Sequence, residues 1–582
     1  MSAKRTLSIL AAVAVLAAAA TAAAGWLLLR KRPDGEVAAP VPGPPAAAQP
    51  TAVQPAPFDP APAAPEWAAL APEGTFLLLG TSDLPALAAD LRSGPAGKTA
   101  AAPGVRAFLD ALAAEPAGEL GAAHGAARLA LDLAELSDGP AFLAAWNSPG
   151  GGARGAVAAF RVRPADSGRA LHLVEDALKS PVAAVRQEPL GIGTHLRTAA
   201  AAGSEGRAWG GTGRWVVASA SVAGCRLMLN RLAGAPPAAR EDLGSAMAAA
   251  GAGRLAGCLN LRRPGGALPP ALGWEASGWL GYSAVPGADG RWTERFFLAG
   301  RPAADGGLIG SLAGGGDRPV LASLPESTLG CFSAGVADGG RFWAALRRLV
   351  GPADPDGMLG AVAGALAGAA GLEFERDVAP AVRGEFTVAC TRQRQALYPQ
   401  TLVGVGLAPG TATRLSAGSD AALALFGNGG RVTGADCAGT RLAWLEGHSP
   451  VDPYCPAPCC AFRGDRLLAA SSTVPLKELL SGRGGRWLEA ADARRLGYGL
   501  LGIRCDLAAL MPFAGAAAAD AGLAGALPVS AARKLPASEE LAEHLGALEL
   551  VVGRAERGLW AELRAPLPLG AAAAARGALA DF

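Results

Sequence analysis

The chain has 582 residues, 51% hydrophobic, 18% charged and 5% aromatic, and its 52 basic side chains nearly cancel its 50 acidic ones. That length allows about three to four domain equivalents at roughly 150 residues each, and Gly (80) with Pro (45) makes up about a fifth of the chain, below the roughly 25–30% of low-complexity proteins, so wholesale disorder is excluded. The five basic residues among positions 1–32 face no acid there, which leaves the rest slightly acidic; with no basic stripe to release counterions, nucleic acid is not expected as a partner.

A short head, residues 1–6, precedes an uncharged stretch at 7–29 that is bounded by Lys4 and Arg5 before it and by Arg30, Lys31 and Arg32 after it. About 20 apolar residues at 1.5 Å each cross the roughly 30 Å hydrocarbon layer, and Trp26 falls near one end, where an indole favours the interface. The stretch is read as a transmembrane anchor, with the lipid bilayer as its partner. The competing reading is a secretory signal cleaved near Ala22-Ala23-Ala24; cleavage would expose Gly25-Trp26-Leu27-Leu28-Leu29 at a new N-terminus. The charges on the two flanks do not decide orientation, and the short head argues for a single-pass protein whose body is extracytoplasmic, on the periplasmic side. Residues 30–67 form a Pro/Ala-rich linker, with eleven prolines between 33 and 65. Such a segment favours polyproline II at about 3.1 Å per residue and spaces the body from the membrane. The alternative of an SH3-type ligand lacks basic residues beside the prolines.

In the first half of the body, Gly94-Pro95-Ala96-Gly97-Lys98-Thr99 offers the end of a phosphate-binding loop, but Arg92 stands where the first Gly is needed and the preceding 83–91 reads as a helix. An exposed loop is expected there. Residues 157–162 read as a strand, Asp166-Ser167 as a cap, and 168–179 as a helix. Residues 279–282, the turn Pro286-Gly287-Ala288-Asp289-Gly290 and 292–298 read as a hairpin. Gly281-Tyr282-Ser283-Ala284-Val285 breaks the G-x-S-x-G pattern at its last residue and falls within that hairpin.

Three segments recur in order. Pro72-Glu73-Gly74-Thr75 returns as Pro325-Glu326-Ser327-Thr328, 253 residues on; the nine residues from Arg214 return from Arg466, 252 on; Gly290-Arg291-Trp292-Thr293-Glu294 returns as Gly558-Leu559-Trp560-Ala561-Glu562, 268 on. A weaker echo pairs Gly139 with Gly384. Fixed order at near-constant spacing argues for duplication. The expected organisation is a domain at 68–300, a Gly-rich linker at 301–319, a repeat of the domain at 320–568 and an Ala-rich tail at 569–582. The expected fold class is α+β: two tandem homologous domains, each an antiparallel sheet with helices on one face, behind the N-terminal helix and linker. Trp292 and Trp560 are expected as core anchors.

With Leu324 to Thr328 as a Leu-Pro-acidic-x-Thr opening, and the segment from Asp377 to Glu385, the chain resembles a class of uncharacterised bacterial single-pass envelope proteins with two similar domains, over about residues 70–568. That class has no established activity, so the resemblance implies no functional residue.

Chemistry is sparse. Cys455, Cys459 and Cys460, with Cys437 and His448 upstream, form the one cysteine cluster; its spacing is not that of a structural zinc site, while an extracytoplasmic body would permit a disulfide among these thiols. His124, His172, His195, His448 and His544 are scattered without a motif. Glu375 and Asp377 bracket Arg376, which points to ion pairing at a helix start. No catalytic, cofactor-binding or metal-binding residue is assigned and no cofactor is expected. The expected function is a membrane-anchored, non-enzymatic envelope protein that binds or scaffolds another envelope protein. The alternatives are a tethered hydrolase with a site assembled from distant residues, and a carrier of an apolar ligand.

Overall fold

A computed structural model describes residues 59–573 apart from short internal stretches, the longest being 511–535. The anchor expected at 7–29 and most of the linker lie outside the described residues. The chain enters the core at Trp67, whose indole stacks on Phe142 at 6.0 Å.

The fold is α+β around one antiparallel sheet. Its first ten strands are β1 (Thr75–Thr81), β2 (Ser137–Asn147), β3 (Arg154–Val162), β4 (Val185–Gly191), β5 (Thr194–Ala199), β6 (Arg207–Thr212), β7 (Trp215–Ser219), β8 (Leu255–Asn260), β9 (Trp274–Pro286) and β10 (Trp292–Pro302). The next ten are β11 (Thr328–Val336), β12 (Val382–Thr391), β13 (Gln400–Leu407), β14 (Val432–Cys437), β15 (Thr440–Leu445), β16 (Cys459–Phe462), β17 (Arg466–Ala470), β18 (Leu501–Asp506), β19 (Ala547–Ala555) and β20 (Gly558–Ala565). The pairings place the first ten side by side as β4-β5-β6-β7-β3-β2-β1-β8-β9-β10. The second ten follow the same order, β14-β15-β16-β17-β13-β12-β11-β18-β19-β20. β10 and β20 then pair antiparallel from Trp292↔Ala565 to Ala299↔Gly558. The strand order therefore reads alike from either edge.

Irregularities repeat with the order. The register slips after Thr75 against Trp146 and again after Thr328 against Thr391, 253 residues on. It also slips between Ser137 and Ala141, and between Val382 and Phe386, 245 on. A bulge changes which residues face each other and adds twist, so matched bulges keep matched strands aligned. Before β1 the Thr75 hydroxyl donates to the Pro72 carbonyl at 2.6 Å; before β11 the Thr328 amide donates to the Pro325 carbonyl at 2.9 Å. The expected hairpin is present as β9 and β10, the strand at 157–162 as β3, and the helix after it as Ser167–Leu178.

Two details differ from the letter matches. Ser221 caps the helix Val222–Ala233, its Oγ accepting from the Gly224 amide at 3.0 Å, and Ser472 stands at the start of Thr473–Ser481. Those positions are 251 apart, as are Arg214 and Asp465, whose carbonyls accept from Val162 and Leu407. The true correspondence is one residue short of the letter match. Likewise Trp292 pairs with Ala565 and Trp560 with Phe297, and because side chains alternate along a strand, the two indoles point to opposite faces. Both are buried as expected.

Helices cover both faces of the sheet, where the sequence suggests one. In the first half Leu78, Phe142, Val157 and Val217 pack with Met228, Leu229, Leu243 and Met247 from the helices Val222–Ala233 and Glu241–Ala249. The alternate residues Val162, Val216 and Ala218 pack with Leu133, Leu136, Ala170 and Val174 from Glu119–Leu136 and Ser167–Leu178. A strand buried along its whole length, as β1 is, requires cover on both sides. The halves also share a core: Leu261, Trp274 and Leu298 pack with Ile309, Leu312, Ala334, Val336, Phe342 and Leu500.

Candidate functional site

The residues singled out by sequence do not converge. Gly94 to Thr99 is not an exposed loop: Gly94 starts the short helix Pro95–Ala101, and Thr99 is buried with its hydroxyl on the Pro95 carbonyl at 2.9 Å. Pro95 at the first helical position has no amide to give, and the Lys98 amide is spent on the Gly94 carbonyl at 3.1 Å, so no phosphate-wrapping loop forms. The Ser283 hydroxyl is buried in β9 and donates to the Ala250 carbonyl at 2.6 Å. His172, His195 and His544 lie on three separate elements, and His448 and Cys455 are outside the described residues. The eight described cysteines are all free thiols, so no disulfide joins Cys437, Cys459 and Cys460. Cys459 and Cys460 sit in β16, and burial pushes the Cys460 thiol up to about 11. Among the described residues no three His, Cys, Asp or Glu side chains are placed to hold a metal ion. The ion pairing expected at Glu375 and Asp377 is present: Arg376 meets Asp377 at 3.0 Å and Glu373 at 3.1 Å, and Glu375 pairs with Arg347, around the π-helical turn Phe374–Val378.

The structure instead reveals charged groups inside the sheet layers. Glu385 of β12 is buried; Oε2 accepts from the Val320 amide at 2.9 Å, and Oε1 from the Leu321 amide at 2.8 Å and the Thr387 hydroxyl at 2.7 Å. It thereby ties the turn before the Leu324 to Thr328 opening to the sheet. Arg318, just upstream, is also buried and reaches the carbonyls of Ser333, Leu496, Gly499 and Leu500; burial lowers its pKa to about 10. Farther along the sheet, Glu549 of β19 lies between Arg564 of β20 and Arg504 of β18 in the cross-strand registers. Its Oε1 accepts from Arg504 at 2.6 Å and its Oε2 pairs with Arg495 of the helix Ala490–Tyr498. Asp492 sits 3.1 Å from Arg504, whose guanidinium lies 5.3 Å from the Trp487 ring centre. These groups fix the packing of strands and helices and present no nucleophile beside a base.

Two surface clefts stand out among the described residues. One, of about 470 Å³, is lined by Arg161, Arg214, Thr194, Thr212 and Trp215. Both arginines turn toward Asp138, at 3.5 Å for Arg161 and in direct contact for Arg214. The other, of about 310 Å³, has Trp343 and Phe374 as one wall, their ring centres 4.6 Å apart, with Gly360 and Gly364 as floor and Glu373 and Glu375 at the rim.

No protein-family model matches the chain, and neither a curated protein nor a solved structure is similar to it. Sequence reasoning passed over Glu294, Glu385 and Glu549. Each interrupts an apolar strand pattern, in Trp-Thr-Glu-Arg-Phe, Gly-Glu-Phe-Thr-Val and Ala-Leu-Glu-Leu-Val, and a carboxylate at such a position is a signal that a buried partner exists.

Proposed function

We propose that the protein is a membrane-anchored, non-enzymatic envelope protein whose two halves are duplicated units that together form one binding or scaffolding platform. The observation that carries this reading is the β10–β20 ladder, which joins two identically ordered ten-stranded sheets through like strands. Pairing of like strands across an approximate two-fold is how isologous interfaces form, so the chain is read as a fused dimer of an ancestral unit. Conserved strand order, and bulges at equivalent positions, support the duplication. The uncharged 7–29 stretch and the Pro-rich spacer support a tethered body, held on the periplasmic side. No described helix is long and apolar enough to cross a membrane, and the proposed anchor lies outside the described residues. The partner is another envelope protein, engaged at the exposed ends of the sheet: β4 and β14 are the edge strands, and β4 carries Arg186, Glu188 and Pro189, which discourage unspecific strand addition.

The test places a photo-crosslinking residue in the full chain at Gln187 of β4 or at Gly434, its counterpart in β14, in native envelopes. One protein partner crosslinked from both edges, together with digestion of the body by protease once the outer membrane is permeabilised, is the expected result. An intact body would overturn the location, and the absence of a shared partner would overturn the platform.

A further inference from the structure

The last described segment of the chain leaves β20, crosses to the first half and docks against β9 and β10, where Ala571 joins the core of Leu79, Leu87, Tyr282, Ala284 and Trp292. A helical turn begins at residue 569, and its amides face the carboxyl of Glu294, which is wholly buried. Glu294 Oε2 accepts from the Gly570 amide at 2.7 Å and from the Tyr282 hydroxyl at 2.7 Å, whereas Oε1 is buried without a hydrogen-bond partner among the described residues. The fit is close: a Cβ on Gly570 would lie 2.8 Å from Oε2 and 2.8 Å from the Phe296 ring. By strand register the counterpart of Glu294 in β20 is Ala561, so the second half lacks this carboxyl.

We propose that Glu294 is a proton-operated latch: its neutral carboxyl holds the 566–573 segment on the first half, and loss of the proton releases the segment.

A wholly buried carboxyl with no cation beside it, one oxygen unpartnered in a site closed by aromatic and aliphatic side chains, costs more ionised than neutral. Burial raises the Glu294 pKa from 4.5 to about 7, although Tyr282 and the amides of 569–571 pull it down. Tyr282 is held well above its usual range by the same burial and by Glu294, and stays protonated. Among the described residues no charged side chain acts on the carboxyl. In the helix Leu84–Ser93, Asp90 is paired with Arg254 at 2.7 Å and Arg92 with Glu135 at 2.9 Å; β20 offers Leu563 opposite Glu294 and β9 offers Ala284. The segment acts on the carboxyl in two ways, its amides favouring the ionised form and its cover over Oε2 the neutral one, and burial is the larger effect; docking is therefore strongest below about 4.5 and weakens as pH rises through about 7. Where release returns the carboxyl to 4.5, the docking equilibrium changes by roughly 70-fold between pH 5 and pH 8, which is the upper bound.

Hydrogen exchange of residues 569–572 in the full chain, corrected for intrinsic rates, reads this directly. Protection should fall by up to that factor from pH 5 to pH 8. Glu294→Gln, which keeps the acceptor and cannot ionise, should retain protection at both pH values. Gly570→Ala, which leaves Glu294 in place, should lose protection at both while the carboxyl, followed by infrared titration, moves down toward 4.5. Protection that is the same at both pH values in the unaltered chain, or a pH dependence that survives in Glu294→Gln, would overturn the latch.

Discussion

In the first half Leu77 of β1 is flanked across the sheet by Ala145 and Leu259; in the second, the same three places are Gly330, Cys390 and Cys505. Where the first half has a large side chain between a small and a large one, the second has an empty centre between two thiols, one of them 3.3 Å from where a Cβ on Gly330 would stand. Burial pushes both thiols up to about 11, so they pack as small apolar groups. The polar interior differs as sharply. Glu549, bridging arginines in the second half, faces Arg504, whose counterpart by register is Cys258, beside Gly281. Strand order, bulges and helix starts are shared while side-chain rows are not. Backbone devices therefore hold this topology in both halves, and the volume and charge of each row differ around them.

Trp292 and Trp560 offer the strongest means of breaking the comparison, because they sit on opposite faces and in separate core clusters. Truncating either to Ala should cost about 3–5 kcal/mol. The β10–β20 ladder and the core cluster shared between the halves make one cooperative unit, so each variant should shift a single denaturant transition read by tryptophan fluorescence and by circular dichroism. Two transitions, only one of which moves, would show that the halves unfold independently and that the ladder does not couple them.

Glu549→Gln addresses the charge that only the second half carries. It removes the carboxylate that faces Arg504 and Arg495 and leaves two half-buried guanidiniums without it, a change that costs about 3 kcal/mol in comparable buried pairs. Chemical denaturation should show a loss of that order. Asp492→Asn, at the more exposed end of the same network, should cost well under half as much; equal losses would mean that burial does not set the hierarchy.

The sequence displayed the shared elements more clearly than their register. Pro72 to Thr75 and Pro325 to Thr328 align correctly because each contains the turn and the bulge that start a strand. The segment from Arg214 is rich in Ala and Ser, so sliding by one residue keeps many letters while it turns every side chain to the other face; the segment from Gly290 matches on its Trp and Glu, which the register places one residue apart. The run Phe76-Leu77-Leu78-Leu79 already required cover on both faces, yet the hairpins drew attention to one. Glu294 was hidden for another reason. Its partner, Gly570, lies 276 residues away in a segment that reads as an Ala-rich tail, and no local pattern announces a contact at that separation.

The smallest effect separates the halves at a helix start. Ser221 accepts a hydrogen bond from the Gly224 amide, whereas Ser472 begins its helix with no side-chain cap bond. Capping satisfies one of the orphan amides of the first turn and contributes about 1 kcal/mol. Ser221→Ala should therefore lower stability by about that amount. Ser472→Ala should cost less, because its hydroxyl caps no amide and reaches only Gln393 Oε1 at 3.5 Å, while Thr473, Val474 and Pro475 already limit the first turn. Thermal unfolding of the two variants side by side resolves the difference. Equal losses would place a cap at Ser472 as well and make the two helix starts alike in energy as they already are in position.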